Sequence, residues 1–417
     1  MGYYIATAGP LARDGVECSV QEWTRISACA LPKGFRYLVS NAEEIVEPVL
    51  LFLYRRCIQS SKVKSVGNSQ KAFSDDLYEL FSYLEVVDLR WDAVDIHDLI
   101  QYRETLQTSL SPKTGKKYRR STIARRMRTI QRFYKWAHRN GYCDDIGKAD
   151  DDDLVHRIGD ASRDAGSGDD LIPKDDGSDS VDAIGADDLT KILRLLGPLP
   201  KDRGAGETSV YRLGATVAVG TGMRIDEVMQ LTLLDIQNVQ PASSQAAVSL
   251  VITKTKGGRA RRVFIPNPIY EDLLAYINGE RKECVADPSP TYPLFVNRAD
   301  AHRNPGRPMT THTMWRNFHA AVIKAGLSYQ EPVVRDDKLK LETRARHSFH
   351  DLRHTYAVVM YQQLVKRGKS APWLVLARLL GHKYVETTVR IYLRSVDTIE
   401  AELTDFVNQY IRVLRDA

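Results

Sequence analysis

The chain has 417 residues, length for two or three domains that each bury a core. Hydrophobic residues at 43% and charged ones at 27% are the mix of an ordinary water-exposed protein. No apolar run reaches membrane-spanning length, no signal-peptide pattern opens the chain, and Ala6 stands where a myristoylation signal needs Ser or Thr. Five scattered cysteines (Cys18, Cys29, Cys57, Cys143, Cys284) make no close pair, which argues against a zinc site or disulfide framework and for a reducing cytoplasm.

In chain order, residues 1–43 are broken by Gly9-Pro10 and Pro32-Lys33-Gly34. They read either as an arm on a nucleic acid or as a packing extension of the next domain, with 20–28 a short helix or strand. Residues 44–148 predict a compact helical domain. Its first helix covers 44–57 in spite of Pro48. The second, over 70–84, repeats Phe73, Leu77, Leu80, Phe81 and Leu84 at helical spacing, and the third covers 96–105. A fourth opens at Ser121 as its cap and ends at Gly141, with Ile123, Met127, Ile130, Tyr134 and Ala137 as its inner stripe. Its outer face carries Arg125, Arg128, Arg132 and Arg139, with Arg126 and Lys135 beside them, and the preceding loop adds Lys113, Lys116, Lys117, Arg119 and Arg120. From Leu106 to Cys143 there is no acidic residue. Intrahelical pairing therefore cannot explain these cations, and the helix and loop read as a face that tracks DNA phosphates. The net charge of +6 averages this basic stretch with an acidic one.

Residues 149–183, rich in Asp and Gly, read as an extended linker of like charge. The second domain, 184–417, opens with helices over 189–196 and 209–219, then a turn at Gly220-Thr221-Gly222. Arg224 opens the next helix, where a cation is disfavoured. It serves either a phosphate held at the turn or a local pair with Glu227 or Asp235. Runs at 247–253 and 262–266 flank Gly257-Gly258 and predict a hairpin with Lys254 and Lys256 near its tip. Helices follow over 268–278 and 311–325, a short strand or buried turn at 294–296, and a polar loop over 330–346. His350 and Arg353 share one face of the next helix. Leu380-Gly381 ends another and leaves His382 just past it. Residues 385–393 form a short helix bearing Tyr392, and 395–417 is amphipathic, folding back or docking on a neighbour. The fold class is mainly α with a small β-hairpin or sheet, an α+β chain.

Two arginines can neutralise the oxygens of a phosphodiester, histidines can donate to it and move a proton, tyrosine is a latent nucleophile, and lysine can protonate a leaving sugar oxygen. TGMRIDEVMQL at 221–231, HDLRHTYA at 350–357 and LLGHKYVETTVRIY at 379–392 resemble the signature boxes of tyrosine recombinases of the phage-integrase type, in domain order from about residue 45 onward. The resemblance implies a helical core-binding domain and a catalytic domain closing as a C-shaped clamp on DNA. It puts catalytic roles on Arg224, His350, Arg353 and His382 and the nucleophile on Tyr392. The hairpin lysine is Lys256, nearer the glycine turn, with Lys254 as the alternative. Implied partners are a double-stranded site with inverted half-sites and three further copies in a synaptic tetramer. The chemistry runs through a 3′-phosphotyrosyl intermediate without metal, ATP or any cofactor, in a prokaryotic, nucleoid-associated setting. The long N-terminus and acidic linker leave room for an accessory DNA-binding protein. Tyr392 stands slightly farther after His382 than the family's usual spacing. A strand nicking-closing enzyme of the type IB topoisomerase kind and a non-catalytic architectural protein or repressor are the competing readings.

Overall fold

The structure is a computed structural model that describes residues 2–10, 30–59, 67–111, 114–146, 183–241, 247–253, 255, 260–285, 289–335 and 338–382. The chain divides into two compact units, Met1–Ser178 with Val333–Leu339 and Asp179–Pro332 with Lys340–Ala417. The expected helix or strand at 20–28, the linker at 149–183 except for residue 183, the helix at 385–393 and the amphipathic segment at 395–417 lie outside the described residues. Among the described residues no helix is long and apolar enough to cross a membrane.

The first unit begins with two antiparallel strands, β1 (Tyr3–Thr7) and β2 (Arg36–Ser40), in register from Tyr3 opposite Ser40 to Thr7 opposite Arg36. Phe35 and Leu38 are fully buried in the same core as the helices, and Tyr3 meets Phe81 edge-on at 5.5 Å. The described part of the N-terminal stretch is thus packed on the helical domain.

Helix α1 (Glu47–Tyr54) starts three residues later than expected, which puts Pro48 in its first turn, where no amide hydrogen is needed. It continues as a π-helical turn, Arg55–Gln59, that buries Cys57 and Ile58. Helix α2 (Asn68–Val86) buries Leu77, Leu80, Phe81 and Leu84 as the spacing predicts. Helix α3 (Ile96–Thr108) is capped by Asp95, whose carboxylate accepts from the Asp98 amide while Asp98 returns the bond. Helix α4 (Arg120–Arg139) buries the whole expected stripe, Ile123 to Ala137, together with Phe133. Its cap position is Arg119, so Ser121 lies inside the first turn and is not the cap.

The second unit has its own core, which shares no residue with the first. Helices α5 (Ala186–Leu195), α6 (Val210–Thr221), α7 (Ile225–Met229) and α8 (Leu233–Gln237) lead into an antiparallel sheet of order β3 (Gln240–Pro241), β4 (Ala247–Ile252), β5 (Arg261–Pro266). The expected hairpin is there, with Ala247 opposite Pro266 and Ile252 opposite Arg261, and β3 adds a third strand. Helices α9 (Asn267–Asn278), α10 (Glu280–Cys284) and α11 (Thr311–Lys324) follow, and Leu294–Phe295–Val296 is a buried connector bridged at both ends.

The loop expected over 330–346 is instead a hairpin of β6 (Ser328–Arg335) and β7 (Lys338–Ala345). Cross-strand bonds tie it: Gln330 Nε2 donates to Thr343 Oγ1 at 3.0 Å, and Arg344 Nε donates to Glu331 at 3.2 Å. The chain then enters α12 (Asp351–Lys366) and α13 (Pro372–Leu380).

Candidate active site

Three helix ends meet in the second unit: the end of α6, the start of α12 and the end of α13. Helix α6 stops because Gly222 turns left-handed (φ 68°, ψ 18°) and its amide donates to Ala218 O at 2.9 Å. No other residue fits, since a Cβ on Gly222 would lie 2.5 Å from the Tyr356 ring. Helix α13 stops in a Schellman motif at left-handed Gly381, with the Gly381 amide on Arg378 O and the His382 amide on Ala377 O at 3.0 Å. The backbone of His382 is therefore part of the cap, which fixes where its ring starts.

Arg353, on the first turn of α12, is 1% exposed and ties these ends together. Its Nη1 donates to Gly222 O and its Nη2 to Leu380 O, both at 2.6 Å. Nη2 also lies 3.1 Å from His382 Nε2. A guanidinium has no acceptor, so Nε2 accepts and the His382 proton sits on Nδ1. Burial, then the charges of Arg353, Arg224 and Arg261, push the His382 ring down to about 4, so it is neutral near pH 7. His350, the residue just before the helix, is exposed, and Arg353, three residues on, is buried. His350 meets His354 edge-on at 4.6 Å, and burial, then His350, Arg353 and His382, push His354 down to about 3.

Arg224 occupies the position just before α7, in extended conformation. Its amide donates to Glu227 Oε2 at 2.8 Å and its Nη1 to Glu227 Oε1 at 3.2 Å. The local partner weighed for Arg224 is thus real for Glu227, while Asp235 caps α8 with Thr232 instead. Glu227 is 3% exposed and accepts a forked pair from Arg261, at 2.7 and 2.6 Å. Burial alone pushes this carboxyl up; the Arg261 and Arg224 bonds and charges outweigh that and hold it below its ordinary value.

Arg261 is the residue that sequence reasoning missed. It is the first, inward-facing position of β5, and its Cδ would lie 2.6 Å from a Cβ on Gly381. It links the hairpin to Arg224 through Glu227. The available signal was an arginine at an inward position of an alternating strand.

Four predicted site residues, Arg224, His350, Arg353 and His382, stand in one electrostatic neighbourhood. Tyr392, Lys254 and Lys256 lie outside the described residues. The four described ones present guanidinium and imidazole donors around one turn, a set that fits an oxyanion of phosphorus.

The predicted DNA face divides. Arg125 Nη1 donates to Asp76 at 2.5 Å. Arg126 forks onto Glu79, with one bond at 2.7 Å, and lies 4.3 Å over the Tyr118 ring. Partners absent from their own helix come from α2, so the argument from missing local acids does not hold for these two. Lys117, Arg119, Arg120, Arg128 and Arg132 are exposed and Lys116 is half-buried; Lys113 lies outside the described residues.

Residues 194–398 match the phage integrase family, and residues 54–141 match the phage integrase N-terminal SAM-like domain. The tyrosine recombinase XerC of Lactobacillus delbrueckii subsp. bulgaricus is 23% identical over 72% of this chain and 78% of its own length. XerC of Lactobacillus leichmannii matches over the same shares at the same identity. The fold is that of the XerH site-specific recombinase, solved bound to a palindromic difH substrate, with a TM-score of 0.56 at 16% identity over 85% of this chain and 93% of that one. The two family matches take in most of the chain, and it belongs to the phage integrase family of tyrosine recombinases, enzymes that break and rejoin DNA.

Proposed function

We propose that this protein cuts and rejoins double-stranded DNA at a specific site of inverted half-sites, through a 3′-phosphotyrosyl intermediate, in a synaptic tetramer and without metal or ATP. The observation that carries it is the Arg353 fork joining Gly222, Leu380 and His382 beside Arg224. Residues 184–417 are the catalytic domain of this reading and 44–148 the DNA-holding one.

Arg224 and Arg353 take the non-bridging oxygens of the scissile phosphate. His382, neutral with its proton on Nδ1, donates one hydrogen bond, and exposed His350 accepts the proton from the Tyr392 hydroxyl. The Tyr392 oxygen forms a bond to phosphorus, the bond from phosphorus to the 5′ oxygen breaks, and Lys256 protonates that oxygen. Rejoining is the reverse, so one phosphodiester replaces another and no outside energy source enters.

The test is incubation with nicked duplexes carrying inverted repeats from the DNA that flanks the gene, resolved under denaturing conditions. The wild type gives a covalent protein–DNA band, and Tyr392→Phe gives none. A band that survives in Tyr392→Phe sinks the assignment of the nucleophile; no band from the wild type on any such duplex sinks the reaction.

A further inference from the structure

We propose that His354 is a positioning residue for strand cutting, holding the His350 ring where it accepts the proton of the Tyr392 hydroxyl. This rests on the proposed function, in which His350 is the base, and it gives a role to a titratable side chain that the reaction as written leaves unused.

The sequence HDLRHTYA puts the two histidines four apart, neighbours across one helical turn. His350 already has helical backbone (φ −69°, ψ −25°), and its carbonyl accepts from the His354 amide at 3.3 Å. Both rings therefore rise from the same turn, and they meet edge-on, with 4.6 Å between centres and 86° between planes. The His350 side chain does not cap the helix. Asp351 ties the entry instead, accepting from the Ser348 amide at 2.8 Å and from Ser348 Oγ at 3.2 Å. An exposed imidazole at a helix entry has several staggered rotamers open to it, whereas a base must hold one geometry toward its proton. The perpendicular His354 ring selects that geometry by contact.

A support must itself be fixed, and the residues on either side of His354 are. Arg353 is anchored on the Gly222 and Leu380 carbonyls. Thr355 Oγ1 donates to Asp351 O at 2.8 Å and accepts from the Ile184 amide at 2.9 Å, and both Thr355 and Ile184 are buried. One turn of α12 is thus pinned from two directions, with half-buried His354 between the pins. The charged and titratable groups that face His354 are His350 and Arg353 beside it and His382 from the end of α13. With burial first, they keep it neutral at pH 7. The imidazolium that forms on His350 during cutting therefore meets an uncharged ring. A second cation there would oppose the transfer.

The experiment measures covalent-band formation by the full chain at saturating nicked duplex, beside duplex affinity by anisotropy. His354→Ala slows the band by about tenfold and leaves affinity within about twofold. His354→Phe, which returns an aromatic ring to His350, recovers the rate to within about threefold of the wild type. In a His350→Ala background, His354→Ala costs less than about twofold more, because a residue that acts through another adds nothing once that other is gone. Should His354→Ala fail to fold, His354→Leu, which fills the space without a ring, takes its place. Full additivity in the double variant, or His354→Phe no faster than His354→Ala, overturns the proposal. A second measurement needs no DNA. In isotope-labelled protein the ring current of His354 displaces the His350 ring-proton signal in the NMR spectrum, and His354→Leu moves it; a signal that stays put overturns the contact. The two readings fail separately. His350→Ala slowed while His354→Leu cuts at the wild-type rate overturns this proposal alone. His350→Ala at the wild-type rate removes the base from the proposed reaction and this proposal with it.

Discussion

Glu227 holds two arginines of different kinds. It accepts from the Arg224 side chain and backbone and from both arms of Arg261, whose side chain is 7% exposed. Removing one partner of such a pair strands a buried charge, which costs about 3–5 kcal/mol. Glu227→Gln should therefore lower the stability of the second unit by roughly that amount, read by chemical denaturation. Arg261→Lys keeps the charge and loses the fork. It should slow covalent-band formation by about tenfold or more, as a shift of 1.4 kcal/mol in the barrier would, while duplex affinity stays within about twofold, a change under 0.5 kcal/mol. Equal losses of affinity and rate would show that Arg261 does not act through Arg224. The two buried imidazoles give a second prediction. Free histidine titrates near 6.5, whereas His382 and His354 are held down to about 4 and about 3. Above pH 7 neither state binds these protons and stability is unaffected. As pH falls from about 6.5 toward 4, the unfolded chain takes up protons that the folded chain refuses, so stability drops. Melting temperatures at pH 7.5 and pH 5 should show the loss, and His382→Asn should shrink it; an undiminished drop in that variant would count against the neutral ring.

At the scale of elements, helix ends do the placing. Gly222→Ala adds a left-handed strain of about 1–2 kcal/mol to a clash with Tyr356. The expected result is a lower melting temperature and loss of the covalent band together, because Arg353 hangs on the Gly222 carbonyl. In the first unit Asp76, fully buried, accepts from Arg125 and Thr129. Asp76→Ala should destabilise that unit by on the order of 3 kcal/mol, measured by thermal melting. These elements also show what a sequence discloses. The α4 stripe was legible because its period is local, and so were the caps at Gly141 and Gly381. Asp76 and Glu79 as partners were not, because they lie 49 and 47 residues before the arginines they hold. The β6–β7 hairpin escaped because its apolar pattern is short: Lys338–Leu341 alternates for only four residues, Leu339 and Leu341 are 71% and 68% exposed, and Pro332 interrupts β6. The candidate site was legible as motifs, yet Arg261 was not, since its role exists only once β5 is paired and Glu227 is buried.

At the scale of the molecule, the two cores are distinct. One is centred on residues such as Phe133 and Phe81, the other on Ile265 and Phe295. Large-to-small changes in either cost about 3–5 kcal/mol for Phe→Ala. Phe133→Ala and Phe295→Ala should therefore each lower a different calorimetric transition and leave the other within error. A single transition moved equally by both would show that the units unfold as one. The expected boundary between the helical part and the second domain rested on the acidic stretch at 149–183. The packing of β1 and β2 onto the helical core was one of the two readings open for residues 1–43, which are too interrupted to show a period that would decide between them.

The Arg353 fork rests on two carbonyls at helix ends, Gly222 and Leu380, where backbone dipoles gather negative charge. A cation seated this way does not need the DNA to hold it in place, and it has nowhere to swing when a phosphate leaves. In the proposed reaction it would meet an intact strand and a broken one with the same geometry. Such a centre has no built-in arrow: it lowers the barrier equally in both directions. On the proposed reaction, whether strands end up exchanged or restored is then decided outside it, by which 5′ hydroxyl is nearest when the phosphotyrosyl bond is attacked.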